Sequence, residues 1–267
     1  AWEGQFGDDI TVASWKKAMK ELGFADLVEV GIGGDMTAAA EAEEWAEAYK
    51  DGKKMTTSCC PAFVNMIKKH YPELLENVST TVSPMVAVSR LIKAKDPDAV
   101  TVFIGPCIAK KAESQDKTVE GNADYVLTFG EIRAMLRAKE VELVPVANEV
   151  QEASVYGKRF GNGGGVTAAV LECLKETDES TDIKVEKCSG AAECKKALTL
   201  LKFGKLPADF IEGMVCDGGC VGGPSHHKDP LKSKKARDLL IGQADERGVH
   251  ENLKNYDMDT VNMHRER

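Results

Sequence analysis

Cysteine placement constrains the fold of this chain more than any other feature of its sequence. Two cysteines, Cys59 and Cys60, stand side by side in the stretch T-T-S-C-C-P-A-F. Adjacent side chains usually diverge, so one metal ion or cluster rarely binds both sulfurs. If one sulfur is a ligand, the other needs a different role. The chain holds eight cysteines in all, at positions 59, 60, 107, 173, 188, 194, 216 and 220.

The length and the N-terminus favour metal or redox chemistry over disulfide bonds. A chain of 267 residues is too long for a small disulfide-stapled scaffold. Its first residues, A-W-E-G-Q-F-G-D-D, are not a signal peptide, so we expect a cytoplasmic protein. No uncharged apolar stretch reaches the ~18 residues that indicate a membrane span. The net charge of -8 argues against nucleic acid as the main partner.

Helix and strand patterns alternate along the chain, which predicts an α/β fold with mainly parallel sheets. Apolar spacing and the positions of glycine and proline predict helices at 15–22, 36–50, 61–71, 131–139, 166–176, 191–202 and 232–247. Short apolar runs predict strands at 27–32, 55–58, 99–104, 124–128 and 183–186, and a strand that exits into a loop over 210–216.

Three cysteines directly follow predicted strands, at the strand ends where α/β proteins place their sites. These are Cys60, Cys107 and Cys216, and Cys220 follows Cys216 in the glycine-rich stretch C-D-G-G-C. Four thiolates are the usual ligands of an iron–sulfur cubane. A structural zinc site and a set of inert buried cysteines are the alternatives. Zinc sites usually show two close cysteine pairs, whereas this chain has one.

Three motifs then resemble the signature motifs of [FeFe]-hydrogenases: T-S-C-C-P-A-F, G-P-C-I-A-K-K-A-E and E-G-M-V-C-D-G-G-C-V-G-G-P. The stretches F-G-N-G-G-G-V at 160–166 and Y-V-L-T at 125–128 also resemble that family's catalytic domain. The resemblance covers nearly the whole chain. It implies a single H-cluster domain over residues 1–267 with a truncated N-terminus. Two lobes, with mainly parallel sheets flanked by helices, would hold the cluster in the cleft between them.

The resemblance also implies the cofactor and its ligands. The H-cluster is a [4Fe-4S] cubane joined through one cysteine sulfur to a two-iron subsite that carries CO, cyanide and an azadithiolate. Its cubane ligands match Cys60, Cys107, Cys216 and Cys220, with Cys220 as the bridging one. Lys110 matches the lysine that hydrogen-bonds a cyanide, and Glu113 matches its motif partner. The other residues implied to bind the cofactor are Met214, Pro106, Gly105 and Pro84.

A proton relay is implied by the same resemblance. Cys59 matches the thiol that carries protons to the azadithiolate amine, and a thiol has a suitable pKa for this task. Glu41, Ser79 and Glu44 match the groups that continue the relay to water. The two glutamates are three residues apart on a predicted helix and therefore share a face. The alternatives are a small buried hydrophobic residue for Cys59 and a solvated acidic helix surface for the glutamates.

Several positions depart from the pattern of the prototypical enzymes. Gly105 replaces a methionine, Phe63 replaces a tryptophan, and Met85 stands where a glutamine contacts the two-iron subsite. These changes are similar to the sensory subgroup of the family, whose members react slowly with H2. The resemblance therefore implies reversible conversion of H2 to protons and electrons, tuned for sensing. A non-catalytic iron–sulfur protein that assists cluster assembly is the competing interpretation.

Partners follow from this chemistry. H2 and protons are the substrates, maturation proteins supply the two-iron subsite, and an electron-transfer protein or ferredoxin-like domain supplies electrons. The chain has no cysteine before Cys59, so we expect the ferredoxin-like clusters elsewhere. Cys173, Cys188 and Cys194 have no counterpart among the ligands and are interpreted as buried structural residues, with a redox pair of Cys188 and Cys194 as the alternative.

Overall fold

The computed structural model describes residues 1–147 and 151–265. Helices and strands alternate in these ranges, which confirms the predicted α/β fold. The α-helices are α1 Val12–Leu22, α2 Gly31–Lys50, α3 Pro61–His70, α4 Pro84–Lys95, α5 Ala109–Ser114, α6 Phe129–Ala138, α7 Val155–Arg159, α8 Gly165–Glu176, α9 Ala191–Lys202, α10 Pro230–Ile241 and α11 Val249–Leu253. The strands are β1 Met55–Thr56, β2 Val102–Gly105, β3 Tyr125–Thr128, β4 Val185–Ser189 and β5 Phe210–Met214.

The strands form two separate sheets, and every strand pair in them is parallel. One sheet has three strands in the order β1-β5-β4, and the other pairs β2 with β3. Parallel neighbours need crossover connections, and helices supply them here. Because the strands within each sheet run in the same direction, their carboxyl ends share one edge. The loops that leave β1, β2 and β5 carry the cysteine motifs.

The central strand β5 is buried along its whole length, as expected for a parallel strand covered on both faces. Phe210 stacks on Trp45 of α2 with the ring centroids 4.0 Å apart. Glu212 is a charged exception in this strand. Its carboxylate accepts hydrogen bonds from the backbone of Gly164 and from the backbone and hydroxyl of Thr167, at the beginning of α8. A helix N-terminus favours an anion, which explains how this carboxylate is accommodated in the core.

Helix α2 lies at the centre of the helical packing and contacts α4, α7, α8 and α11. Close approach requires glycines on two of its faces. A Cβ atom at Gly33 would lie 2.2 Å from the carbonyl oxygen of Pro84, and one at Gly34 would lie 2.9 Å from that of Gly157. Asp35, the next residue of α2, accepts hydrogen bonds from Ser154 and Asn252. The position of α2 is therefore determined on several sides at once.

One predicted strand is wrong. The apolar run at 27–32 is irregular up to residue 30, and α2 begins at Gly31. The backbone N–H of Glu29 donates to the side chain of Glu152 at 2.8 Å, and the Glu29 carboxylate pairs with Lys158. Side-chain contacts thus take the place of a neighbouring strand. The predicted helix at 232–247 is also shorter than expected, since α10 ends at Ile241.

Gly213 offers a test of the packing beneath the site. A Cβ atom at this position would lie 2.3 Å from the ring of Phe63, which is fully buried. We expect Gly213→Ala to lower the free energy of unfolding by about 1–3 kcal/mol, because a close-packed core cannot absorb an added methyl group. Urea unfolding measures this as a lower midpoint at unchanged slope. The control is Gly130→Ala in α6, where a Cβ atom meets nothing closer than 3.8 Å.

Candidate metal centre

The four candidate ligand cysteines come from the carboxyl ends of strands in both sheets. Cys60 lies between β1 and α3, and Pro61 begins α3 as predicted. Cys107 follows β2 by two residues, and Cys216 follows β5 by two. Cys220 begins a short 3-10 turn, Cys220–Gly222. All four side chains are half-buried. The place where these segments meet is the expected location of a site in such folds.

The four thiols are close enough to affect one another electrostatically. Burial, together with the charges of Cys60 and Cys107, raises the pKa of Cys216 to about 11 and that of Cys220 to about 12. Burial also raises the pKa of Cys60, and the charge of Cys107 adds to this effect. Four thiolates crowded together repel one another unless a cation lies between them. The donor set is therefore suited to bind a positively charged metal core.

The spacing of the thiols favours a cluster over a single ion. Among the described residues, three potential metal-ligand atoms lie within 4.8 Å of one another only at Cys173, Glu176 and His250. No three of the four candidate thiols are that close. A tetrahedral zinc ion, with Zn–S bonds of about 2.3 Å, holds its sulfurs only about 3.8 Å apart. Thiols that interact at a greater separation fit the outer corners of an iron–sulfur cubane.

Two glycine-rich loops pair beside these thiols. The backbone N–H of Cys220 donates to the carbonyl of Gly161 at 2.7 Å, and that of Gly163 donates to Gly218 at 3.0 Å. Gly219 has a φ of 88°, and a Cβ atom there would lie 2.6 Å from the Gly161 carbonyl oxygen. Only glycine is suited to this conformation and this approach. The loop at 160–166 thereby supports the loop that carries Cys216 and Cys220.

Lys110 brings a buried positive charge to the same place. Its side chain is 9% exposed, and its ammonium group lies 2.6 Å from Glu113 and donates to the carbonyl of Cys59 at 3.4 Å. Burial disfavours the charged form of Lys110 and by itself lowers its pKa. The charges of Glu113, Cys107 and Cys59 outweigh this effect, so the pKa of Lys110 is raised. An anionic group bound next to the thiols would find a fixed cationic donor here.

Cys59 is buried, whereas its neighbour Cys60 is half-buried. Burial raises the pKa of Cys59 well above its usual value, and the charges of Glu41, Cys60 and Cys220 raise it further. Lys110 acts in the opposite direction. The Cys59 thiol is therefore near enough to the candidate ligands Cys60 and Cys220 and to the Glu41 carboxyl group to be affected by the charge of each. At neutral pH it carries its proton.

Glu41 is fully buried in the middle of α2. Neither of its carboxylate oxygens has a hydrogen-bond partner with good geometry in residues 1–147 and 151–265. Burial raises its pKa well above the usual range, and the charges of Glu44 and Glu212 add to the effect. An unpartnered buried carboxyl group is costly unless it is protonated or has a functional reason to be there. This group lies beside the Cys59 thiol.

Glu44 lies one turn further along α2 and reaches the edge of the protein. Its two carboxylate oxygens each accept a hydrogen bond from the backbone N–H of Thr80 at 3.1 Å, and the Thr80 hydroxyl also donates to it. Nδ1 of His264 lies 3.2 Å from Glu44. The hydroxyl of Ser79 is buried close by and accepts from the backbone of Thr81 at 3.1 Å. Thr80 and His264 were not among the predicted residues, and no motif marks them.

The remaining predicted cofactor contacts are Met214, Gly105, Pro106 and Pro84. Met214 is buried at the end of β5, and its carbonyl accepts from Gly190 and Cys194. Gly105 ends β2 with the ring of Phe103 against its Cα. The carbonyl of Pro106 accepts from Ser225, beyond the second pair of ligand cysteines. Pro84 begins α4, and its carbonyl oxygen packs against Gly33 of α2.

The sequence profile described as "Iron only hydrogenase large subunit, C-terminal domain" matches residues 1–224. Iron hydrogenase 1 of Clostridium pasteurianum is 30% identical over 92% of this chain and 52% of its own length. The periplasmic [Fe] hydrogenase large subunit of Nitratidesulfovibrio vulgaris is 29% identical over 80% and 62%. The cytosolic Fe-S cluster assembly factor narfl of Xenopus tropicalis is 23% identical over 83% and 58%. The chain thus spans a little over half the length of these curated relatives.

The fold also matches solved structures. An apo variant of the [FeFe]-hydrogenase HydA1 from Chlamydomonas reinhardtii superimposes with a TM-score of 0.74 and 20% identity, over 97% of this chain and 88% of the other. A structure described as "Stepwise [FeFe]-hydrogenase H-cluster assembly revealed in the structure of HydA(deltaEFG)" gives a TM-score of 0.72 at 19% identity, over 97% of this chain and 88% of the other. At this level of identity the match establishes the fold.

Proposed function

Because the chain belongs to the iron-only hydrogenase large-subunit family, we propose that it interconverts H2 with protons and electrons at an H-cluster. One observation carries the proposal. Four thiols that suit a cubane are accompanied by a fifth, buried thiol, Cys59, whose pKa is raised by the charges of the candidate ligands Cys60 and Cys220 and of the fully buried Glu41. A protein that only stores or passes on a cubane has no use for this buried acid and thiol.

In this proposal Cys60, Cys107, Cys216 and Cys220 would hold the cubane, with Cys220 also a ligand shared with the two-iron subsite. Met214, Gly105, Pro106 and Pro84 would line the place of that subsite. When bound, the two-iron subsite supplies the place where the H–H bond is cleaved or formed. Lys110, held by Glu113 at 2.6 Å, would neutralise and orient its cyanide ligands. The pairing with Glu113 keeps the ammonium group in one position.

The chain's own residues would move the proton. Burial raises the pKa of Cys59 and that of Glu41, which favours the protonated form of each, so each can donate a proton and then receive another. Burial of both groups keeps water out of this part of the route. Glu44, with Ser79 and Thr80 near it, would connect Glu41 to the surface.

We further propose that the reaction is slow and serves sensing. Of the three departures from the prototypical pattern, Gly105 and Phe63 stand within three residues of Cys107 and Cys60, and Met85 follows Pro84 at the beginning of α4. Phe63 and Met85 are buried, so their replacement changes packing and access around the site. Electrons would pass through the cubane to an electron-transfer protein or a ferredoxin-like domain, and maturation proteins would insert the two-iron subsite.

A second candidate function is cluster assembly without catalysis. It is favoured by the 23% identity to the assembly factor narfl over 83% of this chain. In that case the chain binds a cubane, and the residues that serve the two-iron subsite have no partner. Lys110, Met214 and Cys59 argue for the hydrogenase, because the first two are buried beside the cysteine loops and the third faces Glu41.

Anaerobic reconstitution separates these functions. The protein is first loaded with iron and sulfide, then with a synthetic two-iron precursor, and infrared spectra are recorded before H2 turnover is assayed. The proposal expects sharp bands from metal-bound CO and cyanide, followed by measurable turnover. A brown, cubane-loaded protein without those bands would support the assembly function. A colourless protein that holds zinc would refute both functions. The variant Cys173→Ala lacks a thiol outside the candidate ligand set and serves as a control, which should give the same spectra as the wild type.

A further inference from the structure

The last described residues, 261–265, lie across the outer end of the proposed proton route. The backbone N–H of Val82 donates to Met263 at 2.8 Å, and that of Arg265 donates to Thr80 at 3.0 Å. An antiparallel bridge pairs Thr81 with His264. This segment is outside the part of the chain that matches the family profile, which ends at residue 224.

His264 presents its ring to the carboxylate of Glu44. Its Nδ1 lies 2.9 Å from the Thr80 hydroxyl and 3.2 Å from Glu44 Oε1. The His264 side chain is 47% exposed, whereas that of Glu44 is 16% exposed. The imidazole of His264 therefore lies between the mostly buried carboxylate of Glu44 and solvent. The guanidinium of Arg90 donates to the His264 carbonyl at 3.0 Å and so holds the backbone that carries the ring.

Building on the proposed function, we propose that His264 is the group that exchanges protons between solvent and Glu44. Imidazole is the side chain that changes charge near neutral pH, so it can both collect a proton from water and release it. For H2 formation, the protonated ring donates its Nδ1 proton to the Glu44 carboxylate and becomes neutral. Water or buffer then returns a proton to the ring. For H2 oxidation, the same proton moves in the opposite direction.

The charged groups around the ring are compatible with this role. Glu44 on α2 attracts the protonated ring, and Arg90 on α4 binds the backbone carbonyl of His264. The neighbouring Arg265 directs its guanidinium to the carbonyl of Ser58, next to the two adjacent cysteines, at 3.2 Å. The segment therefore joins the surface group to the motif that carries Cys59. A direct exchange between Glu44 and water is the competing route.

The test compares His264→Ala and His264→Gln in the fully loaded protein. We expect H2 turnover in weak buffer to fall about 10-fold in both, less than the 100-fold or more typical of a buried acid–base group, because water partly replaces the ring. Added imidazole should restore turnover in the alanine variant and leave the wild type unchanged. His70→Ala, at the exposed end of α3, is the matched control and should retain full turnover.

A second measurement does not depend on turnover. In protein labelled with nitrogen-15 at histidine, the Nδ1 resonance of His264 should shift in Glu44→Gln and stay in place in Glu43→Gln, whose side chain is exposed on the same helix. If the His264 resonance does not change in Glu44→Gln, the contact between His264 and Glu44 is refuted. If both His264 variants keep full turnover, the proposed role of His264 in proton exchange is refuted. If the loaded wild-type protein shows no CO and cyanide bands, the proposed function is refuted, and the proton-exchange role of His264 is refuted with it.

Discussion

Cys59→Ala is expected to lower H2 turnover by at least about 100-fold while leaving the cofactor in place. The Cys59 thiol is buried, and the charges of Glu41 and of the candidate ligands Cys60 and Cys220 all raise its pKa. Alanine fills most of the same space and cannot carry a proton. Proton transfer would then have to cross a buried space that holds no proton-carrying group. Turnover should fall by the factor of about 100 or more that a positioned acid–base group contributes.

Two measurements together decide this prediction. Infrared bands of bound CO and cyanide should be retained in Cys59→Ala, because its sulfur is not a ligand. Turnover should fall in the variant and remain normal in Cys173→Ala, which removes a buried thiol from α8. Wild-type turnover in Cys59→Ala would exclude the relay. Loss of the infrared bands would instead place Cys59 among the groups that hold the cofactor.

Lys158→Met is expected to lower the free energy of unfolding by about 3–5 kcal/mol, because it leaves the Glu29 carboxylate buried without its partner. The ammonium group of Lys158 lies 2.6 and 2.7 Å from the two oxygens of Glu29, and each side chain is 5% exposed. Burial already raises the pKa of Glu29, and Lys158 is the main group that lowers it. The pair also joins the segment before α2 to α7.

The direction of the pH dependence follows from the same shift. With Lys158 removed, the pKa of Glu29 in the folded state rises further above its unfolded value, so the folded protein binds more protons. Stability then falls as the pH rises above the unfolded pKa. Urea unfolding should therefore show a larger loss at pH 8 than at pH 5.

The double variant Glu29→Leu/Lys158→Met provides the control for this argument. It removes both charges, and a buried pair replaced by apolar residues of similar size is often neutral or stabilising. We expect it to recover most of the lost stability. If the double variant is as unstable as Lys158→Met, packing around the lysine stem, and not the unpaired carboxylate, is the cause.

Local sequence patterns predicted much of the fold. Helix α9 has the predicted bounds, and α3 begins at Pro61 as predicted, because a proline in the first turn and an apolar face act within a few residues. The strands that precede Cys107 and Cys216 also lie within a few residues of their predicted places. The run at 27–32 failed because β-branched residues favour a strand only where a neighbouring strand is available. Here Glu152 and Lys158 occupy that position.

The sequence alone determined which sulfurs are candidate ligands, because the cysteines, glycines and lysine of the motifs stand at short, fixed spacings. It also placed these residues at the ends of strands. Only the tertiary structure decided which groups surround them. Glu41 and Cys59 meet because α2 and the loop after β1 pack together, and Glu44 meets His264 across 220 positions of sequence. Such contacts depend on how helices pack in three dimensions, and no local propensity encodes them.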